Sequence, residues 1–67
     1  MIQITVNGST RALEGSLDVA ALLAAMQLAG KKVAVERNGE IVPKSAHGST
    51  IVLDGDRLEI VVAVGGG

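Results

Sequence analysis

The sequence predicts an α+β domain in which a mixed sheet of four to five strands packs on one main helix. Three observations predict it. At the start of the chain Ile2, Ile4 and Val6 alternate with Gln3 and Thr5, the period of a strand with one apolar face. At Val19, Leu22, Leu23 and Met26 the spacing changes to three and four, the period of one helical stripe. Beyond it, Asn38-Gly39 and Asp54-Gly55-Asp56 separate further apolar runs in the way turns separate strands. With 67 residues the chain holds one small domain. Such a domain buries only about 60% of its unfolded surface, which leaves no room for a large enclosed active site.

The first strand, around residues 2–6, is closed by Asn7-Gly8, a pair suited to the positive backbone angles of a two-residue hairpin, so its partner falls at about Ser9 to Leu13. Asp18 stands where its carboxylate can accept from the free amides of the helix's first turn. Leu17 and Leu22 stand where a hydrophobic staple forms, and Ala20, Ala21, Ala24 and Ala25 are strong helix formers. Gly30 is placed for a left-handed C-cap with Lys31 and Lys32 beside the negative end of the helix dipole, giving a helix of about ten residues. Val33 to Arg37 then reads as a strand, Asn38-Gly39 as a tight turn, and Glu40 to Val42 as a short return stopped by Pro43. Lys44 to Ser49 reads as irregular. Thr50 to Leu53 leads into the Asp54-Gly55-Asp56 turn and a last strand from Arg57 to Val64.

One amphipathic helix must bury its stripe against one sheet face, and the short N-terminal hairpin leaves the first and last strands as central neighbours. Paired, they run parallel with the helix in the crossover. This is the ubiquitin-like β-grasp arrangement. It makes residues 1–64 the folded domain and residues 65–67 a flexible glycine tail leaving the end of a central strand.

Composition excludes several functions. The chain has no Cys, hence no disulfide, thiolate zinc site or thiol nucleophile. Phe, Tyr and Trp are absent and the six Lys and Arg are scattered, which argues against nucleic acid as a partner. Apolar runs such as Ile60 to Val64 are far too short to span a bilayer, and no basic region with a long apolar segment opens the chain. No membrane partner and a cytoplasmic location are expected. No nucleophile-base pair or ligand cluster marks an independent enzyme, and no metal site is expected.

The feature with most chemical content is Gly65-Gly66-Gly67 directly after the last strand. Three glycines have no side chains to pack and reach about 10 Å when extended, enough to thread a terminal carboxylate into a narrow site. Together with the segment Val33-Ala34-Val35-Glu36-Arg37-Asn38-Gly39-Glu40-Ile41-Val42-Pro43-Lys44-Ser45 and the run Asp54-Gly55-Asp56-Arg57-Leu58-Glu59-Ile60, this end resembles the ThiS family of sulfur carriers in thiamine biosynthesis. The similarity covers essentially the whole chain, with these motifs in the family's order and spacing.

The resemblance implies a protein co-substrate with no bound cofactor. Gly67 would be adenylated by an ATP-using, ubiquitin-activating-like adenylyltransferase and converted to a thiocarboxylate with sulfur from a cysteine desulfurase relay. Thiazole synthase would then take the sulfur. Gly66 maps to the other residue of the Gly-Gly pair, and Gly65 adds flexibility for threading. A terminal carboxylate has a reference pKa of about 3.3–3.7, is ionised in the cytosol and is a poor electrophile, so activation as a mixed anhydride with AMP is what such chemistry requires.

The helix covers one sheet face only, so Glu59, Val61, Ala63 and Val64 on the last strand are candidates for a docking surface beside the tail. His47, in a polar loop, reads as solvated. Asp54 and Asp56 read as turn formers, and Lys44 and Arg57 as lone surface cations. Two other readings stay open: the small subunit of molybdopterin synthase or another pathway's sulfur carrier, and a non-catalytic β-grasp interaction module whose glycine end is incidental.

Overall fold

The computed structural model describes residues 1–63. Val64 and the expected tail, 65–67, lie outside the described residues.

Strands β1 (Ile2–Val6) and β2 (Ser9–Leu13) form the N-terminal hairpin, with Ile2 opposite Leu13 and Val6 opposite Ser9. Its turn has Asn7 at φ 50° and Gly8 at φ 83°, the two positive angles that Asn-Gly favours. A two-residue strand β3 (Leu17–Asp18) leads into helix α1 (Val19–Ala25). Strands β4 (Val33–Arg37) and β5 (Glu40–Val42) form the second hairpin, again through an Asn-Gly turn with Asn38 at φ 52° and Gly39 at φ 87°. A 3-10 turn at Lys44–Ala46, a two-residue strand β6 (Ile51–Val52) and the long strand β7 (Arg57–Val62) complete the order.

The main sheet runs β2-β1-β7-β4-β5. β7 pairs in parallel with β1, Thr5 opposite Arg57 and Val6 opposite Leu58, and antiparallel with β4 from Val33–Val62 to Arg37–Leu58. The first and last strands are therefore central and parallel, as the ubiquitin-like β-grasp fold requires. A second, two-stranded sheet of β3 and β6 was not expected from the sequence. Two residues per strand are too short to show a period, so only the tertiary pairing reveals it.

The core is aliphatic. Ile4, Val6, Val35, Val42, Leu58 and Ile60 from the sheet meet Val19, Leu22 and Leu23 of α1, with Val52 closing one side. Burying each such side chain contributes about 1.5–3 kcal/mol, and with no aromatic residue present these ten positions carry most of the drive to fold.

The helix starts where the sequence predicts. The Asp18 carboxylate accepts from the Ala21 N–H at 2.7 Å, and Leu17 packs against the core that holds Leu22. It ends earlier than expected. Gln27, not Gly30, adopts the left-handed conformation that terminates it, at φ 62°. The Gln27 N–H donates to the Ala24 carbonyl at 3.0 Å and the Leu28 N–H to the Leu23 carbonyl at 2.8 Å, the paired bonds of a Schellman motif. Leu28 packs on the core, and that burial is what pulls the chain out of the helix three residues early. Gly30, at φ 81°, serves the following turn, closed by Lys31 N–H to the Leu28 carbonyl. No basic residue lies in the last helical turn, so Lys31 and Lys32 do not cap the dipole.

Candidate functional site

β7 delivers the chain to its glycine end, and three sets of contacts fix its course. At its start, the Asp54 carboxylate accepts from the Gln3 N–H at 2.7 Å, and the Gly55 N–H donates to the Gln3 carbonyl at 2.7 Å. Beside it, Asp56 is buried. Its carboxylate takes the Leu53 N–H at 2.8 Å, Arg37 Nε at 2.7 Å and Asn38 Nδ2 at 3.1 Å. Burial works against the charged form of Asp56, but the Leu53 amide, the Arg37 guanidinium and the Asn38 amide outweigh it and hold the carboxyl below its ordinary range. Asp54 and Asp56 are the turn formers the sequence predicts, and Asp56 is in addition the anchor that ties β4 to the start of β7.

Midway, the Asn7 side chain donates to the Ile60 carbonyl at 2.9 Å and accepts from the Ile60 N–H at 2.7 Å. At the far end, the Ala63 N–H donates to the Lys32 carbonyl at 2.9 Å. The strand is thus held on both edges as far as Ile60, and on its β4 edge as far as Ala63, the last described residue.

Along β7 the side chains alternate. Leu58 and Ile60 enter the core, while Glu59, Val61 and Ala63 are exposed on the opposite face. The register adds Ala34 opposite Val61, Glu36 opposite Glu59 and Ile41 opposite Glu36 to that outer face. Val61 is 62% and Ile41 67% exposed, two apolar side chains on either side of the Glu36–Glu59 pair with nothing packed on them among the described residues. Two glutamates directly opposite each other cost stability in the free protein. The sequence-predicted docking residues Glu59, Val61 and Ala63 therefore do share one surface at the C-terminal end of β7, and Val64 lies outside the described residues. Ala34, Glu36 and Ile41 were missed. The period-two alternation of β4, with Val33 and Val35 inward, is the signal that could have placed Ala34 and Glu36 outward.

His47 is a correction. It is not solvated but 8% exposed, with Nε2 3.2 Å from the Val42 carbonyl oxygen, and its own carbonyl accepts from the Ala20 N–H at 3.0 Å. The 3-10 turn at Lys44–Ala46 folds the loop under α1 and carries the imidazole in with it. Among the described residues no group of three His, Cys, Asp or Glu could hold a metal ion, and no helix is long and apolar enough to cross a membrane. Lys44 and Arg57 are both exposed, and the Arg57 N–H donates to Asn38 Oδ1 at 2.9 Å.

A family model described as the ThiS family matches residues 4–67. The chain belongs to the ThiS family. Similar to it is the crystal structure of a thiamine biosynthesis protein (ThiS) from Geobacter metallireducens, with a TM-score of 0.84 and 40% identity over 98% of this chain and 100% of that one. The sulfur carrier protein ThiS of Bacillus subtilis is 50% identical over 46 residues, 69% of this chain and 70% of that protein. A thiazole synthase of Paramagnetospirillum magneticum is 48% identical over 66 residues, covering 98% of this chain but 20% of the synthase. The chain spans about a fifth of the length of that relative. The Geobacter protein, at 40% identity, shares this chain's fold.

Proposed function

We propose that this chain is a sulfur carrier of thiamine biosynthesis, acting through the carboxylate of Gly67. The observation that carries the reading is that the ThiS family match runs through to residue 67 and so includes the glycine end. The chain is a co-substrate and not the catalyst. An adenylyltransferase joins the Gly67 carboxylate to the α-phosphate of ATP and releases pyrophosphate. Persulfide sulfur from a cysteine desulfurase relay then displaces AMP to give an acyl disulfide, which a thiol reductant cleaves, itself ending in a disulfide, to leave a C-terminal thiocarboxylate. Thiazole synthase is the acceptor, a reading supported by the synthase relative that contains a segment 48% identical to this chain.

Residues 1–64 act as the folded handle and 65–67 as the arm that enters each partner's site. Glycine at Gly66 and Gly67 lets the backbone approach the nucleotide where a Cβ would collide, and Gly65 extends the reach. Glu59, Val61, Ala63 and Val64, with Ala34, Glu36 and Ile41 beside them, form the docking face that registers the arm.

Intact-mass analysis after incubation with ATP, the adenylyltransferase and a sulfur source tests the reading. The expected result is the mass gain of exchanging one oxygen for sulfur, with a much lower yield for Gly67→Ala. An unchanged yield from that variant, or no gain in the unaltered chain, overturns it.

A further inference from the structure

On the helix side of Ala63, the last described residue, lies a groove of about 670 Å³. Leu23, Leu28 and Val33 form its apolar floor, and it continues past Ala63 to Ala34 and Val61 on the outer face. Its volume falls within the range of about 300–1,000 Å³ typical of binding clefts. The wall from Leu28 to Lys32 exists because the helix stops early at Gln27, in a backbone conformation costly for a residue other than glycine.

The charge of the groove is one-sided. Lys31, Lys32 and Lys44 line it and no carboxylate does among the described residues, although the whole chain has a net charge of −1. All three lysines are exposed, and the ion pair found among the described residues joins Arg37 to Asp56, elsewhere in the fold. Three ammonium groups with no ion pair among the described residues, around an apolar floor, match an apolar segment flanked by carboxylates. A nucleotide fits less well, because no aromatic side chain exists to stack on its base.

We infer that this groove is a second docking site, which seats a carboxylate-flanked apolar segment of the sulfur-accepting synthase and thereby clamps that enzyme around the root of the tail. The inference rests on the reading of thiazole synthase as acceptor. Its occupant would lie against Ala63 and be continuous with the outer face, so one partner could grip both sides of β7.

Calorimetric titration with thiazole synthase tests it. The triple variant Lys31→Glu, Lys32→Glu, Lys44→Glu is expected to bind about tenfold or more weakly, with a flatter salt dependence and an unchanged melting temperature. The triple Met variant, which keeps much of the apolar stems, is expected to lose the salt dependence while retaining part of the affinity. Equal affinity of the triple Glu variant and the unaltered chain, or no binding of the unaltered chain, overturns the proposal. So does an effect of the lysines that vanishes when residues 64–67 are removed, which would make the chain's own end the occupant. Concentration-dependent self-association lost in the variant would assign the groove to a second copy and also overturn it. The mass assay reads the sulfur-carrier function separately: a carrier that gains sulfur normally but binds the synthase without regard to its lysines keeps the function and loses the groove.

Discussion

The side-chain amide of Asn7 pairs with the backbone of Ile60 on both sides, donating to its carbonyl at 2.9 Å and accepting from its N–H at 2.7 Å. It acts as one more rung of the β1–β7 ladder after β1 itself has turned away at Val6. The same residue supplies the positive φ of the hairpin, so turn geometry and strand alignment depend on a single side chain. Replacing it by glycine keeps the backbone angle and removes only the rung. Asn7→Gly is expected to cost about 2–3 kcal/mol, because two backbone groups of Ile60 lose their partner. Asn7→Ala is expected to cost about 1 kcal/mol more, since alanine also resists φ 50°. Urea unfolding of the three proteins checks this, and equal midpoints for the unaltered chain and Asn7→Gly would refute it.

Asp56 links acid stability to the same strand. Its carboxyl is held below its unfolded value, so between the two values the unfolded chain binds more protons and stability rises with pH. The contribution is complete above the unfolded value, near pH 4, and is lost as pH falls through the lower folded value. Asp56→Asn is expected to unfold more easily at neutral pH and to show a flatter loss of stability below about pH 4 than the unaltered chain. Thermal melts across that range measure both; parallel pH profiles would exclude Asp56 as the group responsible.

The sequence made most of the sheet legible because each hairpin carries an Asn-Gly turn and β1, β4 and β7 each largely alternate apolar and polar positions. The parallel neighbours β1 and β7 followed from topology alone. The helix end was misplaced because the glycine rule points to Gly30, whereas the burial of Leu28 decides the matter and makes Gln27 adopt the unfavourable conformation. His47 was misread for a related reason. Its neighbours are polar, and only the 3-10 turn shows that the ring packs inward against Val42. On the outer face, β7 was readable from its own alternation, but Ile41 joins it only through register, which a single strand does not reveal.

The left-handed Gln27 offers a direct test of that account. The side chain is exposed, so the change to glycine removes little but the conformational penalty of φ 62°. Gln27→Gly is expected to stabilise the protein by about 0.5–1 kcal/mol, the gain at φ > 0 being offset in part by the greater freedom of glycine in the unfolded chain. For a domain of this size that is a rise in melting temperature of roughly 2–8 °C. A fall instead would mean that Gln27 makes a contribution its backbone geometry does not disclose.

The outer face can be separated from the fold because its apolar residues are exposed. Ile41→Thr with Val61→Thr keeps a β-branched side chain at both positions and touches no core residue, so stability should change by no more than about 0.5 kcal/mol per site. Docking is another matter. If these side chains are buried against a partner, losing apolar surface at both positions removes about 1.5–2 kcal/mol of binding, a weakening of roughly ten- to thirtyfold. Thiocarboxylate formation measured against carrier concentration would show a raised KM with little change in kcat, because the Gly67 end is unaltered. The substitution of Glu36 by Gln adds a control of opposite sign, since removing one of two opposed carboxylates should raise the melting temperature. A double Thr variant that is activated at the same KM would place the docking surface elsewhere than on the outer face of β4, β5 and β7.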